Sequence, residues 1–323
     1  MCGICGIINY RQSAKIEASA IDNMCSMMIH RGPDSAGIYV ENRYCPVVGF
    51  GHRRLSIIDL SESAHQPMSN KDKTIWIVFN GEIYNFRELR KTLEDKGHKF
   101  NSHSDTEVIV HLYEEEGIDC VKKLRGMFAL AIWDLNNKTI LLARDRFGKK
   151  PLLYFFKDGL FSFASEFNAL LACADISKEI NLKAIPDYMT FGYIPAPESI
   201  YSGVYKLLPG HVLILKNNEV KIQRYWQLEY KKKNNISFQD AADTTEKLLR
   251  EAVKIRLQSD VPLGAFLSGG IDSSTVVGLM AQLSPASKIK TFSIGFDDKD
   301  FDELKYARII ARQFNTKHHE FVV

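Results

Sequence analysis

The sequence predicts an α+β domain of antiparallel sheets and helices, followed by the start of an α/β domain with a doubly wound parallel sheet. Two observations lead to this prediction. Up to Trp226, strand-like segments follow one another and are joined by turn signals, with the helical patterns gathered elsewhere. After residue 236, helical and strand patterns alternate, which is typical of a parallel sheet with crossover helices. The length of 323 residues is sufficient for two globular domains.

The antiparallel domain is predicted from segments rich in β-branched and aromatic residues. The clearest of these strands cover residues 74–80, 127–135, 138–145 and 151–156. Turn signals at Asn136-Asn137, Lys157–Gly159 and Asn217-Asn218 indicate hairpins between neighbouring strands. Helical patterns lie at residues 15–29, 86–96 and 105–116.

The parallel domain is predicted from a change of pattern after Trp226. Residues 231–235 are polar and charged, as in a linker, and Ser237 with Asp240 gives a helix-start signature. Pro262 ends this helix. The elements expected beyond it are a strand at 263–267, a helix ending near 283, a strand at 290–296, a helix at 302–315 and a strand at 318–323. The predicted division is a first domain at residues 2–218, a linker at 219–236 and a partial second domain at 237–323.

Composition and charge narrow the classes of function. The chain has 42 basic and 39 acidic side chains, and the net charge of +3 favours neither a nucleic-acid partner nor an anionic membrane. There is no apolar run of membrane-spanning length and no signal-peptide pattern, so we expect a cytoplasmic protein. The six cysteines match neither a zinc pattern nor a dense disulfide framework, which indicates reduced thiols.

One cysteine differs from the others because it directly follows the initiator methionine. We expect Met1 to be removed before so small a residue, which leaves a thiol and a free α-amine on Cys2. An α-amine has a pKa of about 7.7–8.0, so its unprotonated fraction can take the thiol proton at neutral pH. A nucleophile of this kind carries its own base and needs no histidine. The alternative is a small packed residue.

Nine ordered motifs in the first half of the chain point to one family. They are MCGICGI (1–7), HRGPDSAG (30–37), GHRRLSIIDL (51–60), QPM (66–68), FNGEIYN (79–85), SDTEV (104–108), RGMFALAIWD (125–134), RDRFGKKPLLY (144–154) and FASE (163–166). Together they resemble the class II glutamine amidotransferases and, among these, the glutamine-hydrolysing asparagine synthetases. The resemblance continues through LPGH (208–211) to the last residue. It implies an N-terminal-nucleophile hydrolase sandwich, followed by an ATP-pyrophosphatase domain.

The resemblance assigns the reacting groups of a glutaminase. Cys2 would attack the glutamine amide, which creates a tetrahedral oxyanion that needs fixed hydrogen-bond donors. The Asn80 side chain and the Gly81 backbone N–H would supply these donors, and glycine suits a close approach of backbone to substrate. His52 is expected to be structural, because the α-amine already serves as the base.

The resemblance also assigns the groups that hold the substrate. Arg54 would bind the glutamine carboxylate, because its planar guanidinium suits a bidentate contact. Glu82 and Asp105 would accept hydrogen bonds from the α-ammonium group. The backbone that would line the same pocket belongs to Leu55, Ser56, Ile57 and Ile58.

A second site is predicted at the motif SGGIDSS (268–274), which follows a strand and opens a helix. Backbone N–H groups, hydroxyls and the helix N-terminus form an anion cradle there, and no lysine follows the glycines as in a Walker A loop. The motif resembles the pyrophosphate loop of ATP pyrophosphatases. The residues that would bind pyrophosphate are Ser268, Gly269, Gly270, Ser273 and Ser274. Asp272 would bind Mg²⁺, and Leu267 and Ile294 would frame adenine and ribose unless they are plain sheet core.

The favoured hypothesis is a glutamine-hydrolysing asparagine synthetase that uses ATP and Mg²⁺. Ammonia released at Cys2 would reach an acyl-adenylate made from ATP and aspartate, giving asparagine, AMP and pyrophosphate. The family implies an internal tunnel for the ammonia and often a homodimer. Three alternatives stay open. They are the same chemistry on another carboxylate, as in surface-sugar or secondary-metabolite synthesis, a free-standing glutaminase, and a non-catalytic remnant, which the intact motif residues disfavour.

The resemblance further implies that the second domain is truncated. The last predicted strand ends with Val323, and three parallel strands leave an uncovered sheet edge. Family members continue for about the length of another large domain, which holds further magnesium and acceptor ligands. We therefore expect the 323-residue chain alone to hydrolyse glutamine slowly and to make no asparagine.

Overall fold

The computed structural model describes residues 1–230, 235–284, 289–298, 300 and 302–323. Its contacts divide the chain into two units, Met1–Glu229 and Tyr230–Val323. Part of the segment predicted as a linker, residues 231–234, lies outside the described residues. Within the described ranges, none of the helices has both the length and the apolar character that crossing a membrane requires.

The first strand of the chain lies in the middle of a six-stranded antiparallel sheet. Its strands are β1 (Gly3–Asn9), β2 (Ser35–Glu41), β3 (Val47–Arg54), β8 (Leu153–Lys157), β9 (Leu160–Ala164) and β10 (Val204–Lys206). Their spatial order is β10-β8-β9-β1-β3-β2. Gly3 pairs with Arg53 of β3, and Cys5 pairs with both Gly51 of β3 and Ala164 of β9. The segment beginning at Gly3 is therefore fixed by strands on both sides.

The second sheet is also antiparallel and has six strands. They are β4 (Met68–Ser69), β5 (Ile75–Ile83), β6 (Gly126–Asp134), β7 (Thr139–Arg144), β11 (His211–Lys216) and β12 (Glu219–Arg224). Their spatial order is β12-β11-β7-β6-β5-β4. The pair β5–β6 runs from Ile75 opposite Asp134 to Ile83 opposite Gly126, so both strands are paired over their full length.

The two sheets pack face to face, and helices cover their outer faces. Side chains from both sheets, including Ile4, Phe50, Val78 and Trp133, form the core between them. The helices are α1 (Ala18–Ser26), α2 (Phe86–Asp95), α3 (Asp105–Glu116), α4 (Phe167–Leu170) and α5 (Ile185–Phe191). Helices α1 and α4 pack on the first sheet, whereas α2 and α3 pack on the second. The predicted α+β sandwich of antiparallel sheets and helices is thus confirmed.

The three predicted hairpins form as β6–β7, β8–β9 and β11–β12. At the tip of the last one, Asn217 and Asn218 both have positive φ values of 52° and 62°, the combination that a two-residue type I′ loop requires. Strand β5 is longer than predicted and continues to Ile83. Its pairing with β6 overrides the turn preference of Asn80-Gly81.

The predicted end of the first domain at residue 218 falls inside the last hairpin. β12 pairs along the whole of β11, and the Tyr225 hydroxyl donates to the Arg144 carbonyl at 2.8 Å. Residues 219–224 are therefore a sheet strand and not part of a linker, and the first unit extends to Glu229.

The second unit contains a three-stranded parallel sheet. Its elements are α6 (Phe238–Arg256), β13 (Gly264–Phe266), α7 (Ile271–Leu283), β14 (Lys290–Gly295), α8 (Leu304–Gln313) and β15 (Lys317–Val322). The strand order is β13-β14-β15, and both pairs are parallel, as the alternating pattern predicted. The Ser237 hydroxyl caps α6 by accepting a hydrogen bond from the Asp240 N–H at 3.1 Å.

Candidate active site

A cavity of about 380 Å³ opens beside the residues that precede β1 and follow β3. Its lining consists of Met1, Cys2, Arg54, Leu55, Ile57, Ile58, Ala64, Gln66, Phe79, Asn80, Gly81, Glu82, Ser104, Asp105, Thr106, Met127 and Lys150. Nine of the ten residues predicted for the glutamine site are among them. The exception is Ser56, which is not part of the lining and whose backbone N–H donates to the Asp34 carboxylate at 2.8 Å.

Cys2 lies at the cavity because β1 is locked in register with β3. Its Sγ accepts a hydrogen bond from the Leu55 N–H at 3.4 Å and lies 3.6 Å from the Leu55 carbonyl oxygen. The Arg31 Nε–H donates to the Cys2 carbonyl at 2.9 Å, which fixes the backbone. Burial raises the pKa of the Cys2 thiol, so a base must remove its proton at neutral pH.

Asn80 lies on β5 and is 1% exposed. Its Nδ2 is buried and has no hydrogen-bond partner among the described residues. Leaving a buried donor unpaired costs about 1–3 kcal/mol. A donor kept free on the wall of a cavity, beside a thiol, is positioned for an oxygen that arrives with a ligand.

Gly81 is next on β5, opposite Phe128 of β6. A Cβ atom at this position would lie 2.2 Å from the Met127 carbonyl oxygen and 2.8 Å from the Phe128 Cα. Any side chain would therefore push β5 away from β6. Glycine is needed here to keep Asn80 and Glu82 in place on the strand.

Arg54 is the last residue of β3 and is 5% exposed. Its guanidinium donates to the Ser61 carbonyl at 3.1 Å and to the Ile58 carbonyl at 3.3 Å, with a further short contact to the Asp59 carbonyl. These contacts hold the loop that contributes Leu55, Ile57 and Ile58 to the cavity. They use three of the five guanidinium N–H donors and leave two for a ligand.

Two carboxyl groups face the same cavity. The Asp105 Oδ2 accepts a hydrogen bond from the Ile83 N–H at 2.9 Å, which ties the start of α3 to the end of β5. Burial raises the pKa of Asp105 to about 7, and the nearby charge of Glu82 adds to the shift. Burial also raises the pKa of Glu82. A cation bound next to the two carboxyl groups would therefore stabilise their ionised forms.

Two residues of the cavity lining, Lys150 and Gln66, were not among the predicted site residues. Lys150 is 6% exposed, and burial lowers the pKa of its ammonium group although the charge of Glu82 opposes the shift. The Gln66 Oε1 accepts from the Phe79 N–H at 2.6 Å, and its Nε2 donates to the Thr106 hydroxyl at 3.2 Å. Gln66 thereby fixes β5 next to Asn80. Both residues lie inside quoted motifs, so the signal was present without an indication of which side chains point inward.

His52 is structural, as expected. It is 1% exposed, and its Nε2 lies 3.1 Å from the Phe79 carbonyl, so this nitrogen carries the proton that is donated. Burial lowers the pKa of His52 to about 3, which keeps the ring neutral. The residue holds β3 next to β5.

In the second unit, the predicted anion loop connects β13 to α7. The Ser268 and Ser273 hydroxyls lie 3.0 Å apart, and the Ser268 Oγ accepts from the Gly270 N–H at 3.2 Å. Gly269 has φ +83°, and a Cβ there would lie 2.5 Å from the Tyr306 Cβ. The loop is therefore a compact turn that only glycine allows.

Two features of this loop suit an anion, the ligand predicted from its motif. The Ser274 Oγ is buried and has no partner among the described residues, and Gly270, the N-cap of α7, provides no side-chain cap. Unpaired donors at a helix N-terminus bind anions. Asp272 lies in the first turn of α7 and is exposed, and a carboxylate is the type of ligand that Mg²⁺ prefers.

A cavity of about 270 Å³ adjoins the loop. It is lined by Phe266, Leu267, Ser268, Ser273, Phe292, Ser293, Ile294, Glu303, Leu304 and Ala307. Leu267 is 2% exposed and belongs to the core, whereas Ile294 is 53% exposed at this cavity. The two predicted nucleotide-framing residues therefore both reach the cavity, but only Leu267 is also sheet core.

Comparison with protein families gives two matches. The glutamine amidotransferase domain family matches residues 1–226, and the asparagine synthase family matches residues 244–323.

Curated relatives agree with these matches. A relative from Methanocaldococcus jannaschii, provisionally named a glutamine-hydrolysing asparagine synthetase, is 42% identical and aligns with 99% of this chain and 64% of its own. Glutamine-hydrolysing asparagine synthetase 1 of Bacillus subtilis is 40% identical, over 96% of this chain and 48% of its own. Amidase chyE of Penicillium rubens is 35% identical, over 99% and 50%. The chain thus spans about half to just under two thirds of the length of these relatives.

Solved structures show the same fold. A glutamine phosphoribosylpyrophosphate amidotransferase from B. subtilis superposes with a TM-score of 0.51 at 18% identity, covering 99% of this chain and 65% of that one. An allosteric regulatory enzyme of purine biosynthesis superposes with a TM-score of 0.52 at 14% identity, covering 99% and 80%. At these identities the likeness concerns the fold alone.

Proposed function

This chain belongs to the glutamine amidotransferase domain family, and from that premise we propose that its first unit hydrolyses glutamine with Cys2 as the nucleophile. The observation that carries the proposal is the unpaired Asn80 amide donor in the same cavity as the Cys2 thiol. Attack of sulfur on the glutamine amide carbon forms a tetrahedral oxyanion. Asn80 and the Gly81 backbone N–H are the donors that would stabilise it.

The base for this attack is supplied by the chain itself. Burial raises the pKa of the thiol, so the thiolate is not present beforehand. Met1 lies at the cavity, and its removal exposes the α-amine of Cys2 next to its own sulfur. That amine takes the thiol proton and donates it to the amide nitrogen of the tetrahedral intermediate, which leaves as ammonia. The glutamyl thioester left on Cys2 is then hydrolysed by water.

The remaining groups of the cavity fit the amino-acid end of glutamine. Glu82 and Asp105 provide carboxylates for the α-ammonium group. The two free donors of Arg54 are the proposed ligands of the α-carboxylate. The charge of Glu82 raises the pKa of the Lys150 ammonium group against the effect of burial, so Lys150 offsets part of the negative charge of the cavity.

We propose that the second unit binds ATP through the loop Ser268–Ser274, with Mg²⁺ on Asp272. The bound nucleotide would activate a carboxylate, and aspartate is the proposed acceptor. The whole protein would then be an asparagine synthetase. The unpaired Ser274 hydroxyl and the uncapped helix support phosphate binding. A cytoplasmic location is proposed because the nucleophile must remain a thiol, and a homodimer is proposed on the family resemblance.

A second candidate acceptor is another carboxylate. The likeness to amidase chyE, at 35% identity, favours keeping this alternative. Supplying the whole protein, at the length of its relatives, with ATP, glutamine and either aspartate or other carboxylic acids, and following AMP and the amide product, separates the two.

The glutaminase proposal is tested by replacing Cys2. We expect Cys2→Ala to reduce ammonia release from glutamine by roughly 10⁴-fold or more, because the variant lacks the only attacking group. The matched control is Cys45→Ala, which removes an exposed, unpaired thiol and should leave the rate unchanged. Mass spectrometry should show Cys2 as the first residue of the active protein. Retained activity in Cys2→Ala would overturn the assignment.

A further inference from the structure

A second group of ionisable side chains lies outside the cavity and has no part in the proposed reaction. It consists of His111 and Glu114, which are on α3, and His98, which is in the turn after α2. The spacing of three residues places His111 and Glu114 on the same face of the helix. Gly97, with φ +97°, turns the chain so that His98 approaches that face.

Three potential ligand atoms of this group meet at one point. The His98 Nδ1 and His111 Nδ1 are 3.1 Å apart, the His111 Nδ1 and Glu114 Oε2 are 2.7 Å apart, and the His98 Nδ1 and Glu114 Oε2 are 3.6 Å apart. A tetrahedral zinc ion with bonds of about 2.0–2.1 Å has ligand atoms about 3.3 Å from one another. The three separations differ from this value by up to about 0.6 Å, so small side-chain movements bring the atoms onto one face of such a tetrahedron.

A surrounding set of polar groups orients each ligand. The His98 Nε2 lies 3.0 Å from a Glu115 carboxylate oxygen, and the His111 Nε2 lies 3.8 Å from a Glu107 oxygen. The Asn70 amide donates to the second carboxylate oxygen of Glu114 at 2.9 Å. Carboxylates on the far nitrogen of each imidazole are the usual support of metal-binding histidines.

The far nitrogen of each imidazole faces a carboxylate. The His98 Nε2 is within hydrogen-bond distance of Glu115, whereas the His111 Nε2 lies 3.8 Å from Glu107, beyond that distance. With a proton on each Nε2, both Nδ1 atoms present lone pairs to a cation. Two lone pairs and the Glu114 oxygen then face one another at about 3 Å. One shared proton satisfies a single pair of these acceptors, whereas a divalent cation satisfies all three.

We propose that His98, His111 and Glu114 bind a divalent transition-metal ion such as Zn²⁺, with a water molecule as the fourth ligand. The side chains of His98 and Glu114 are 16% and 27% exposed, which leaves a path for the ion from solvent. The ion joins the turn after α2 to α3, whose first residue is Asp105 of the cavity. It is thus a structural ion that stiffens the element carrying part of the substrate site.

The test uses the whole chain after treatment with a chelator and removal of the chelator. Calorimetric titration with Zn²⁺ should show one ion per chain bound at micromolar concentrations or below, together with a higher midpoint of thermal unfolding. Co²⁺ should give the visible bands of a four-coordinate ion without the near-ultraviolet thiolate band that cysteine ligation would add.

Variants connect the binding to these residues. We expect His98→Ala and Glu114→Gln each to weaken Zn²⁺ binding at least tenfold and to abolish the Co²⁺ bands. The matched control is His211→Ala, which removes a histidine whose Nδ1 contacts only the Pro209 carbonyl among the described residues and should bind the ion normally. Circular dichroism checks that each variant is folded, and His98 is the safer position because it lies in a turn. Absence of stoichiometric binding, or binding unchanged in both variants, would overturn the proposal.

Discussion

At Asp105, one buried carboxyl group would link the pH of the solution to binding of the proposed substrate. Its pKa is raised to about 7, so near neutrality it is a mixture of a neutral acid and a carboxylate. Only the carboxylate can accept the charge of an α-ammonium group. Without substrate, partial protonation of Asp105 avoids a buried unpaired charge. When substrate binds, its α-ammonium group pairs with the Asp105 carboxylate.

We expect glutamine to bind about tenfold more tightly at pH 8 than at pH 6. A group with a pKa of about 7 is mostly protonated at the lower pH and mostly ionised at the higher one. Calorimetry on the Cys2→Ala protein measures this binding without turnover and without titration of the thiol. In Asp105→Asn the affinity should be lower at both pH values, and its pH dependence should be lost. A pH dependence that persists in this variant would assign the effect to another group.

The raised pKa of Asp105 also makes the free energy of unfolding depend on pH. The unfolded carboxyl ionises near pH 4, whereas the folded one keeps its proton to about pH 7. The stabilising contribution of Asp105 is therefore complete at acid pH and is lost as the pH rises through 7.

Individual residues also show where prediction from sequence stops. The family motifs pointed to Cys2, Asn80, Gly81 and Asp105, and all four line one cavity in the structure. They did not reveal that the Arg54 guanidinium is largely occupied by backbone carbonyls. Contacts of this kind depend on how a loop folds back on its own strand, and no local pattern in the sequence encodes them.

Among the elements, α3 matters most because it begins inside the cavity. Ser104 is its N-cap, and the hydroxyl accepts a hydrogen bond from the Glu107 N–H at 3.3 Å. The Glu107 carboxylate in turn accepts from the Ser102 N–H at 2.7 Å and from its hydroxyl at 2.6 Å. This double cap fixes the first turn, and hence the position of Asp105.

We expect Ser104→Ala to destabilise the protein by about 0.5–2 kcal/mol and to weaken glutamine binding. Loss of the cap leaves a buried N–H unpaired and loosens the turn that positions Asp105. Urea unfolding and calorimetry measure the two effects. Thr92→Ala is the matched control, because its hydroxyl bonds to the Glu88 carbonyl on an exposed helix face. Equal losses in both variants would mean that the cap has no particular role at the site.

Strands were predicted more accurately where the sequence pattern and the strand pairing agree. The strands of β6 and β7 were found because β-rich composition, turn signal and register all point to one hairpin. β5 was predicted over residues 74–80, the segment rich in β-branched and aromatic residues. Its long-range pairing with β6 keeps the strand straight through Ile83, and a sequence window does not contain this information.

On the scale of the whole molecule, the two units differ in how much core they have. Three large clusters stabilise Met1–Glu229, whereas the described part of Tyr230–Val323 has only two small ones. In the second unit, Phe238, Phe266 and Ile271 are each more than 80% exposed. Less buried apolar surface means a smaller free energy of unfolding.

We therefore expect the second unit to unfold at a lower temperature than the first. All three tryptophans, Trp76, Trp133 and Trp226, belong to the first unit, so their fluorescence reports its unfolding alone. Circular dichroism reports helices of both units and should show an earlier transition that fluorescence does not. Coincident transitions by the two probes would mean that the chain unfolds as a single cooperative unit.

The division of the chain was predicted in outline and misplaced in detail. A change from sequential strands to alternating helices and strands marks the second unit clearly. The boundary was set at residue 218, although Asn217-Asn218 signals a hairpin whose second strand follows. Whether a turn ends a domain or continues a sheet depends on a partner strand far away in the chain.

The unpaired amide of Asn80 has a consequence for the evolution of this chain. A buried donor without a partner lowers stability by about 1–3 kcal/mol, and an apolar residue there would remove that burden. Selection for stability therefore favours an apolar residue at position 80, whereas selection for the proposed reaction favours Asn80. A lineage that no longer needed the reaction would be free to lose Asn80 early, so the identity of this residue in related sequences is a marker of whether the chemistry is still in use.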